Sequence, residues 1–240
     1  MDELPGNDGL SVTDTVNQPD WRDDETLSAQ IRAMTRQQRH QAAYLALRRL
    51  QAPLLDIAMP VEWGVDSAAL TSVLREGATR LDGEVNEDLG HAIAELCSAP
   101  LFESEIEPEF AESFQLEVIN GWLMLGESLG EMSEVQTDRA ISLAREMAVY
   151  LDSYMDGSLT VVEGDELRER YLARVADNLR VYGLGYFGTR NLEIEGACHA
   201  AIIAVSASED LLGSAVGHQL EATCDEYSSQ ISSALRAFTQ

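Results

Sequence analysis

Lysine is absent from this chain of 240 residues, so all sixteen of its basic side chains are arginine. This absence excludes enzymes that form a Schiff base through lysine, enzymes with a Walker-A lysine and enzymes of the protein-kinase type. Basic charge is also scarce against 42 Asp and Glu, which leaves a net charge of −26. Such a surface repels nucleic-acid phosphates and attracts basic proteins. We therefore expect a basic protein partner and no nucleic acid.

Cysteine, aromatic residues and long apolar runs are scarce as well. The chain has three cysteines, Cys97, Cys198 and Cys224. Their odd number and the lack of CxxC spacing predict reduced, buried thiols. The longest apolar run, residues 200–205, has six residues, whereas a membrane span needs about 18. The first residues, MDELPGNDG, have neither the basic start nor the apolar stretch of a secretion signal. We expect a cytoplasmic protein without a membrane partner.

Apolar residues recur at helical spacing along most of the chain, and only one short run, residues 158–162, has β character. The pattern predicts an all-α fold, an irregular bundle of about eight helices in a single compact domain over residues 21–240. Residues 1–20 are rich in Gly, Pro, Asn and Asp and predict a disordered acidic tail. Apolar positions in register include Leu70, Val73, Leu74 and Leu81, then Phe110, Phe114, Val118 and Trp122, then Leu212, Val216, Leu220 and Cys224.

Three patterns could carry chemistry, and each has a structural explanation. Gly183, Gly185 and Gly188 fit GxGxxG, but the preceding residues are helical in pattern and no strand precedes the turn. Cys198 adjoins His199 in an apolar segment, which is typical of a structural cysteine. None of the four histidines follows Glu-x-x-His or HExxH spacing. We predict no catalytic residue, cofactor or metal.

The most unusual local feature is a run of glutamates interleaved with aromatic residues. It has two interpretations: a solvated loop that leads into a helix N-terminus, or a docking patch for a basic partner. In the second interpretation the carboxylates steer association and exposed phenylalanines anchor the complex. The predicted partner-binding residues are Glu103, Glu105, Glu107, Glu109, Phe110, Glu112 and Phe114.

A series of features follows in a set order along residues 28–156. They are Leu47-Arg48-Arg49 ahead of a proline, Trp63-Gly64 before a helix from Leu70 to Leu81, Val85-Asn86, the helix with Ala92-Ile93, and the helical stretches 118–129 and 140–151. In this order of features the chain resembles the YjaG-like family of small, helical bacterial proteins. The resemblance implies an all-α fold and transfers no catalytic residue. Related helical families also occur among immunity proteins encoded beside bacterial toxins.

Together these patterns predict a non-enzymatic, acidic helical binding protein. Its most specific form is an immunity protein that neutralises a cognate bacterial toxin by blocking a basic surface. Two alternatives remain open from the sequence. One is a metal- or carboxylate-dependent helical-bundle enzyme, and the other is a scaffold protein of the halophile type, whose acidity serves solvation.

Overall fold

The computed structural model describes residues 24–77, 87–102, 108, 110–128, 132–155, 184–205 and 211–238. These residues form α-helices and two short 3-10 turns, without a strand, so the predicted all-α fold is confirmed. The predictions for the tail and for residues 158–162 lie outside the described residues. The helices are α1 (Asp24–Ala33), α2 (Arg36–Arg48), α3 (Ala52–Asp56), α4 (Ser67–Glu76), α5 (Glu87–Cys97), α6 (Phe110–Glu127), α7 (Glu134–Met155), α8 (Tyr186–Ala204) and α9 (Ala215–Phe238).

The first two helices are separate because Thr35 begins a new one. The Thr35 hydroxyl accepts a hydrogen bond from the Gln38 backbone N–H at 3.2 Å. In return, the Gln38 side-chain oxygen accepts one from the Thr35 backbone N–H at 2.9 Å. This reciprocal capping box satisfies backbone donors that a continuous helix would have bonded internally. The Gln38 amide also donates to the Ile202 carbonyl at 2.9 Å, which ties the start of α2 to the end of α8.

Helix α2 is the central element of the bundle. Every residue from 40 to 47 is buried, polar ones included. Helices α6, α7, α8 and α9 all pack against it. Ala42, Ala43 and Ala46 lie between its larger side chains, and small residues allow neighbouring helices to approach closely. An amphipathic surface helix would expose one face, so this burial on all sides places α2 in the core.

Helices α4, α5 and α6 pack together on one side of the bundle. Asp66 begins α4, because its carboxylate accepts the backbone N–H groups of Ala68 and Ala69 at 2.7 and 2.9 Å. The apolar face of α4 packs on α5, and both helices contact α6. The buried residues of α4 and α5 are Ala69, Leu70, Val73, Leu74, Leu89, Ala92, Ile93 and Leu96.

Two 3-10 turns, Val61–Trp63 and Pro100–Phe102, lie against each other at one end of this side. Gly64 ends the first turn with φ of +58°, a left-handed conformation that favours glycine. A Cβ atom there would lie 2.5 Å from Pro100 Cδ, so the approach of the two turns also excludes a side chain. The two turns bring the residues before α4 next to the residues before α6.

Candidate functional site

The predicted aromatic anchors are not exposed side chains. Phe114 is fully buried in the core, so its prediction as a partner-binding anchor is wrong. It lies one turn before Val118 on the core-facing side of α6. Phe110 is half-buried, and its ring stacks on Tyr154 with 3.4 Å between ring centroids. Of the predicted glutamates, Glu112 is half-buried, and Glu103, Glu105, Glu107 and Glu109 lie outside the described residues.

Other apolar side chains are exposed close to the start of the glutamate run. Phe102, the residue before the run, is 42% exposed, and Val61 on the neighbouring 3-10 turn is 92% exposed. Leu55, at the end of α3, is 56% exposed. Exposed apolar side chains of this size can anchor a protein partner. Unlike Phe114, these side chains are accessible at the surface.

A groove of about 550 Å³ lies between α3 and α4, with polar as well as apolar surface, and Leu55 and Val61 are among its lining residues. Its wall is held by Gln115 of α6, whose amide nitrogen donates to the carbonyls of Pro53 and Ile57, both at 2.9 Å. At its rim, Asp56 forms an ion pair with Arg236 at 3.3 Å. The groove is lined mainly by Leu54, Leu55, Ile57, Ala58, Met59, Pro60, Val61, Val65 and Leu70.

The acidic charge is concentrated in one stretch of the sequence. Residues 81–138 contain no arginine and 15 of the 42 acidic residues, so these 58 residues carry a charge of −15. The other 182 residues carry 27 acids and 16 arginines, a charge of −11. The glutamate run is therefore the middle of a longer segment without basic residues, which supplies α5 and α6. The absence of arginine between Arg80 and Arg139 can be read from the sequence alone. It would have pointed to α5 and α6 as the helices with unbalanced acidic charge.

A second groove, about 340 Å³ in volume, lies between α4 and α5 and is acidic. Its lining includes Glu76, Asp88 and Glu95, and its small side chains are Ala68, Ala69, Ser72 and Ala92. Arg75 also lines it, paired with Glu76 at 3.0 Å. Within the described residues, neither Asp88 nor Glu95 forms an ion pair with an arginine. The groove thus presents carboxylates whose charge no arginine of the described helices balances.

The interior between α2, α7 and α8 contains a second charged cluster of a different kind. Arg145 Nε lies 3.1 Å from each carboxylate oxygen of Glu195, and its Nη2 also contacts Glu195. Arg49 Nη2 lies 3.8 Å from the same carboxylate. All three side chains are at least nine-tenths buried. Two buried arginines thus share the carboxylate of Glu195.

His199 belongs to this cluster and lies one turn after Glu195 on α8. It is 5% exposed, and its Nδ1 lies 3.0 Å from the side-chain oxygen of Gln30. Burial lowers the pKa of His199 to about 4, and the positive charges of Arg49 and Arg145 act in the same direction against the attraction of Glu195. The imidazole is therefore neutral at pH 7 and does not balance the arginines.

Two of the three cysteines are buried in the core. Cys198 of α8 and Cys224 of α9 are 1% and 0% exposed. The Cys224 sulfur lies 3.7 Å from the Leu45 carbonyl. Both thiols are reduced, as the sequence predicted, whereas Cys97 is exposed and departs from the predicted burial. The position of Cys97 at the end of α5 turns it away from the core residue Leu96.

The GxGxxG turn carries an anion supplied by the protein itself. The Asp152 carboxylate of α7 accepts the backbone N–H groups of Gly185, Phe187 and Gly188 at 2.8, 2.8 and 2.7 Å. These are the donors at the start of α8 that a phosphate would use. A Cβ on Gly185 would lie 2.5 Å from Asp152 Cγ, so the glycine permits this approach. Gly183 and the segment before it lie outside the described residues.

Several of these residues gave little signal in the sequence. Asp152 sits on a helix with polar neighbours, and nothing local marks it as a cap for a helix 33 residues later. For Arg49 the signal was weak but present, because it stands between Leu47 and Leu50 in an apolar stretch. Glu195 and His199 share a helix face by spacing. Their burial depended on which helix covered that face.

Two further observations concern the described residues only. They contain no group of three His, Cys, Asp or Glu side chains arranged to hold a metal ion. None of their helices is both long enough and apolar enough to cross a lipid bilayer.

Comparison of the chain with protein-family models, curated proteins and solved structures gives no match. The resemblance to the YjaG-like family therefore stays a prediction from the sequence. The surfaces and the interior of the protein are therefore the features that bear on its function.

Proposed function

We propose that this protein is a non-enzymatic binding protein for a basic protein partner. In its most specific form it is a cytoplasmic immunity protein that neutralises a cognate bacterial toxin by covering a basic surface. The observation that carries the proposal is the arginine-free segment 81–138, which bears −15 of the net charge of −26. The YjaG-like resemblance adds the link to immunity proteins, since related helical families occur among them.

The acidic side has the composition of a docking surface. Glu87, Asp88 and Glu95 are exposed on α5, and Asp88 and Glu95 also line the α4–α5 groove. Carboxylates without arginine partners attract a basic protein over distances of about 8 Å at physiological salt. They also need no rearrangement of internal ion pairs to accept a lysine or arginine. Such charges raise the association rate more than they slow dissociation.

Apolar side chains at the groove between α3 and α4 supply the anchor. Leu55, Val61 and Phe102 are exposed at or near its rim, and the groove volume of about 550 Å³ can accept an apolar side chain of the partner. A surface that combines apolar anchors with a charged surround is typical of protein–protein interfaces. Toxins that act on polyanions have basic clefts, and an acidic helical protein can occupy them.

The first experiment is purification from the native host at low salt, with the copurifying protein identified by mass spectrometry and then produced alone. We expect that protein to be basic. Its expression alone should arrest growth, and coexpression with the acidic protein should restore it. A partner of acidic or neutral charge would contradict the charge argument, and a basic partner without toxicity would contradict the immunity function only.

The second experiment locates the contact with matched charge variants. One variant changes Glu87, Asp88 and Glu95 to Gln, Asn and Gln, and its control changes Glu25, Glu146 and Glu226, exposed acids outside segment 81–138, to Gln. Both alter the net charge by +3. We expect slower association with the partner for the first variant only, with little change in dissociation. Equal association rates for the two variants would place the contact elsewhere. A further variant, with Glu103, Glu105, Glu107 and Glu109 changed to Gln, tests the run itself.

The third experiment tests the anchor. Leu55→Asp places a charge at the groove, and Ile203→Asp places one on α8, where the native side chain is exposed to a similar extent, 51% against 56%. We expect faster dissociation of the partner for Leu55→Asp and an unchanged dissociation rate for Ile203→Asp. Identical dissociation rates would exclude the groove from the interface while leaving the acidic surface as the contact.

A further inference from the structure

We propose that the outer face of α4 binds an amphipathic, basic helix of the partner protein. The inference rests on the proposed function, since it names the kind of segment through which the basic partner makes contact. In this arrangement the partner helix lies along α4. Its basic side chains lie over the α5 side of α4, and its apolar side chains lie over the α3 side.

The outer face of α4 consists mainly of small side chains. Its residues follow one another at i, i+3, i+4 and i+7 and therefore share one side of the helix; they are Ala68, Thr71, Ser72 and Arg75. Ser72 is half-buried, and the other three are exposed. Arg75, at the end of the face, pairs with Glu76 at 3.0 Å. Side chains as short as alanine, serine and threonine allow a second helix to approach the axis of α4 to within about 8–10 Å.

Grooves border this face on both sides. The acidic α4–α5 groove, of about 340 Å³, has Ala68 and Ser72 in its wall. On the other side lie the α3–α4 groove, of about 550 Å³, and a further pocket of about 390 Å³ between α2, α3 and α4. These two are contiguous, because Leu55 and Thr71 line both. A ridge between two grooves suits a packed helix, since side chains on either edge of that helix enter the grooves.

The α5 side of the face is complementary to basic side chains. Asp88 and Glu95 line the α4–α5 groove and are exposed. Neither carboxylate forms an ion pair with an arginine in the part of the chain that the structure describes. The two acids lie two turns apart on one side of α5, so lysines or arginines spaced by two turns on a partner helix match them.

The α3 side of the face is complementary to apolar side chains. Leu55, Leu74 and the ring of Tyr44 line the pocket between α2, α3 and α4. Arg48 also lines it, but its guanidinium already pairs with Glu221 and, at 2.7 Å, with Asp225. This arginine therefore adds little free charge to the pocket. The two sides of α4 thus differ in the way that the two edges of an amphipathic basic helix differ.

The geometry favours a helix over an extended segment as the bound element. The described residues form no strand, so they offer no sheet edge to which an extended segment could add. A helix bonds its own backbone groups and needs only side-chain contacts to bind. Helix α4 has 10 residues, a length of about 15 Å that matches about three turns of a partner helix.

The first experiment uses the full chain and two synthetic peptides of about 14 residues, made of Leu, Ala and Lys in identical composition. In one peptide Leu and Lys lie on opposite sides of a helix, and in the other a scrambled order removes these sides. Isothermal titration calorimetry at physiological salt should show binding of the amphipathic peptide that is at least about tenfold tighter. Equal affinity would overturn the proposal, because charge alone would then account for the binding.

Matched variants test whether the peptide lies on α4. One variant combines Ala68→Gln and Thr71→Gln, which place two larger, uncharged side chains on the face. Its control combines Ala94→Gln and Ser233→Gln, both at exposed positions outside the grooves. Thr71 and Ser233 each donate a hydrogen bond to the carbonyl four residues earlier, so both variants lose the same interaction.

We expect about tenfold weaker binding of the amphipathic peptide to the first variant and unchanged binding to the control. Thermal unfolding followed by circular dichroism checks that both variants are folded, and glutamine at exposed helix positions should leave the melting temperature nearly unchanged. Unchanged affinity for the folded first variant would overturn the placement on α4.

The copurified partner separates this inference from the proposed function. A photo-crosslinker is attached at Thr71→Cys in the full chain with Cys97→Ser, which removes the exposed native thiol. We expect it to label a partner segment whose apolar and basic residues recur at helical spacing. A labelled segment without this pattern would overturn the inference and leave the basic partner in place. A partner of acidic or neutral charge would contradict the proposed function itself.

Discussion

In the interior between α2, α7 and α8, two arginines share a single carboxylate, whereas the exposed acidic side chains of α5 form no ion pair with an arginine in the described part of the chain. Arg49, Arg145 and Glu195 are at least nine-tenths buried. Glu87, Asp88 and Glu95 are exposed. The same residue types thus occupy two environments. In the first environment, water is excluded, and each charge is stabilised by its ion-pair partners. In the second, water and salt screen each charge separately.

Charged side chains in the interior of this protein therefore stabilise one another, whereas the exposed carboxylates are accessible to solvent and to a partner. A buried carboxylate between two arginines cannot be removed without leaving cations in a medium of low polarity. Exposed carboxylates in segment 81–138 can be removed with little cost to folding, because solvent already stabilises them. The predictions below test this division, from the largest expected effect to the smallest.

The largest effect should come from Glu195→Gln, which leaves Arg49 and Arg145 without their shared anion. We expect a loss of about 3–5 kcal/mol in the free energy of unfolding, because breaking a buried ion pair leaves uncompensated charge. Urea denaturation followed by circular dichroism measures it. The control is Glu193→Gln on the same helix, where Glu193 pairs with Arg190 at the surface, and its cost should be below about 1 kcal/mol. Similar costs for both would show that the buried cluster is not an energetic unit.

The next effect concerns the carboxylate that caps α8 from α7. Asp152→Ala removes the acceptor of three backbone N–H groups, and we expect a loss of about 2–3 kcal/mol, because hydrogen bonds to a charged group are strong and the donors become unsatisfied. Glu146→Gln, an exposed change on α7, should have almost no effect. Both are measured by urea denaturation. A cost for Asp152→Ala as small as that for Glu146→Gln would mean that water replaces the carboxylate.

Two glycine variants test the close approach of Asp152 to the start of α8. Gly185→Ala would place a Cβ 2.5 Å from Asp152 Cγ, while Gly196 has no atom within 4 Å of such a Cβ. The first change should destabilise the protein, and the second should leave it unchanged or more stable, since alanine favours helices. Differential scanning calorimetry compares the two. Equal melting temperatures would show that Asp152 can withdraw from the turn.

A smaller effect should appear in the pH dependence of stability through His199. Its pKa is about 4 in the folded protein and about 6.5 when unfolded. Between these values the unfolded state binds a proton that the native state does not, so stability falls as pH decreases through this window. From pH 7 to pH 5 we expect His199 to contribute a loss of about 2 kcal/mol. His199→Gln should lack this contribution, while exposed His91→Gln should retain it. The same pH slope in both variants would contradict a buried, neutral His199.

The smallest effect should come from the triple change of Glu87, Asp88 and Glu95 to Gln, Asn and Gln. Two physical effects oppose each other. Loss of acids at the start of α5 removes a favourable interaction with the helix dipole, and loss of like charges relieves repulsion. We expect a net change within about 0.5 kcal/mol and a weaker dependence of stability on salt. A loss above about 2 kcal/mol, the range of a buried charge, would contradict the comparison.

Much of the fold could be predicted, because helical periodicity is a local property. The apolar faces of α4, α5 and α6 follow from spacing, and the end of α4 near residues 76–77 comes only shortly before the predicted one. In α9, Val216 was predicted in register with Leu212 and Cys224 but is 53% exposed. The start of α8 at Tyr186, five residues before the predicted 191, could not be seen, because a distant carboxylate supplies its cap. The site was less predictable. Phe114 fits both an exposed anchor and a core residue until the packing of α6 is known.

By itself, the sequence determined an all-α protein with an arginine-free acidic segment and reduced thiols, since helix spacing, charge order and cysteine spacing need no tertiary contact to be read. Only the tertiary structure decided which polar groups are buried together. Arg145 and Glu195 are 50 residues apart, and Asp152 and Gly185 are 33 apart. Cys198 and Cys224 are buried because α8 and α9 pack on each other and on α2. Burial depends on what covers a side chain, and the covering helices come from distant parts of the chain, so local pattern cannot reveal it.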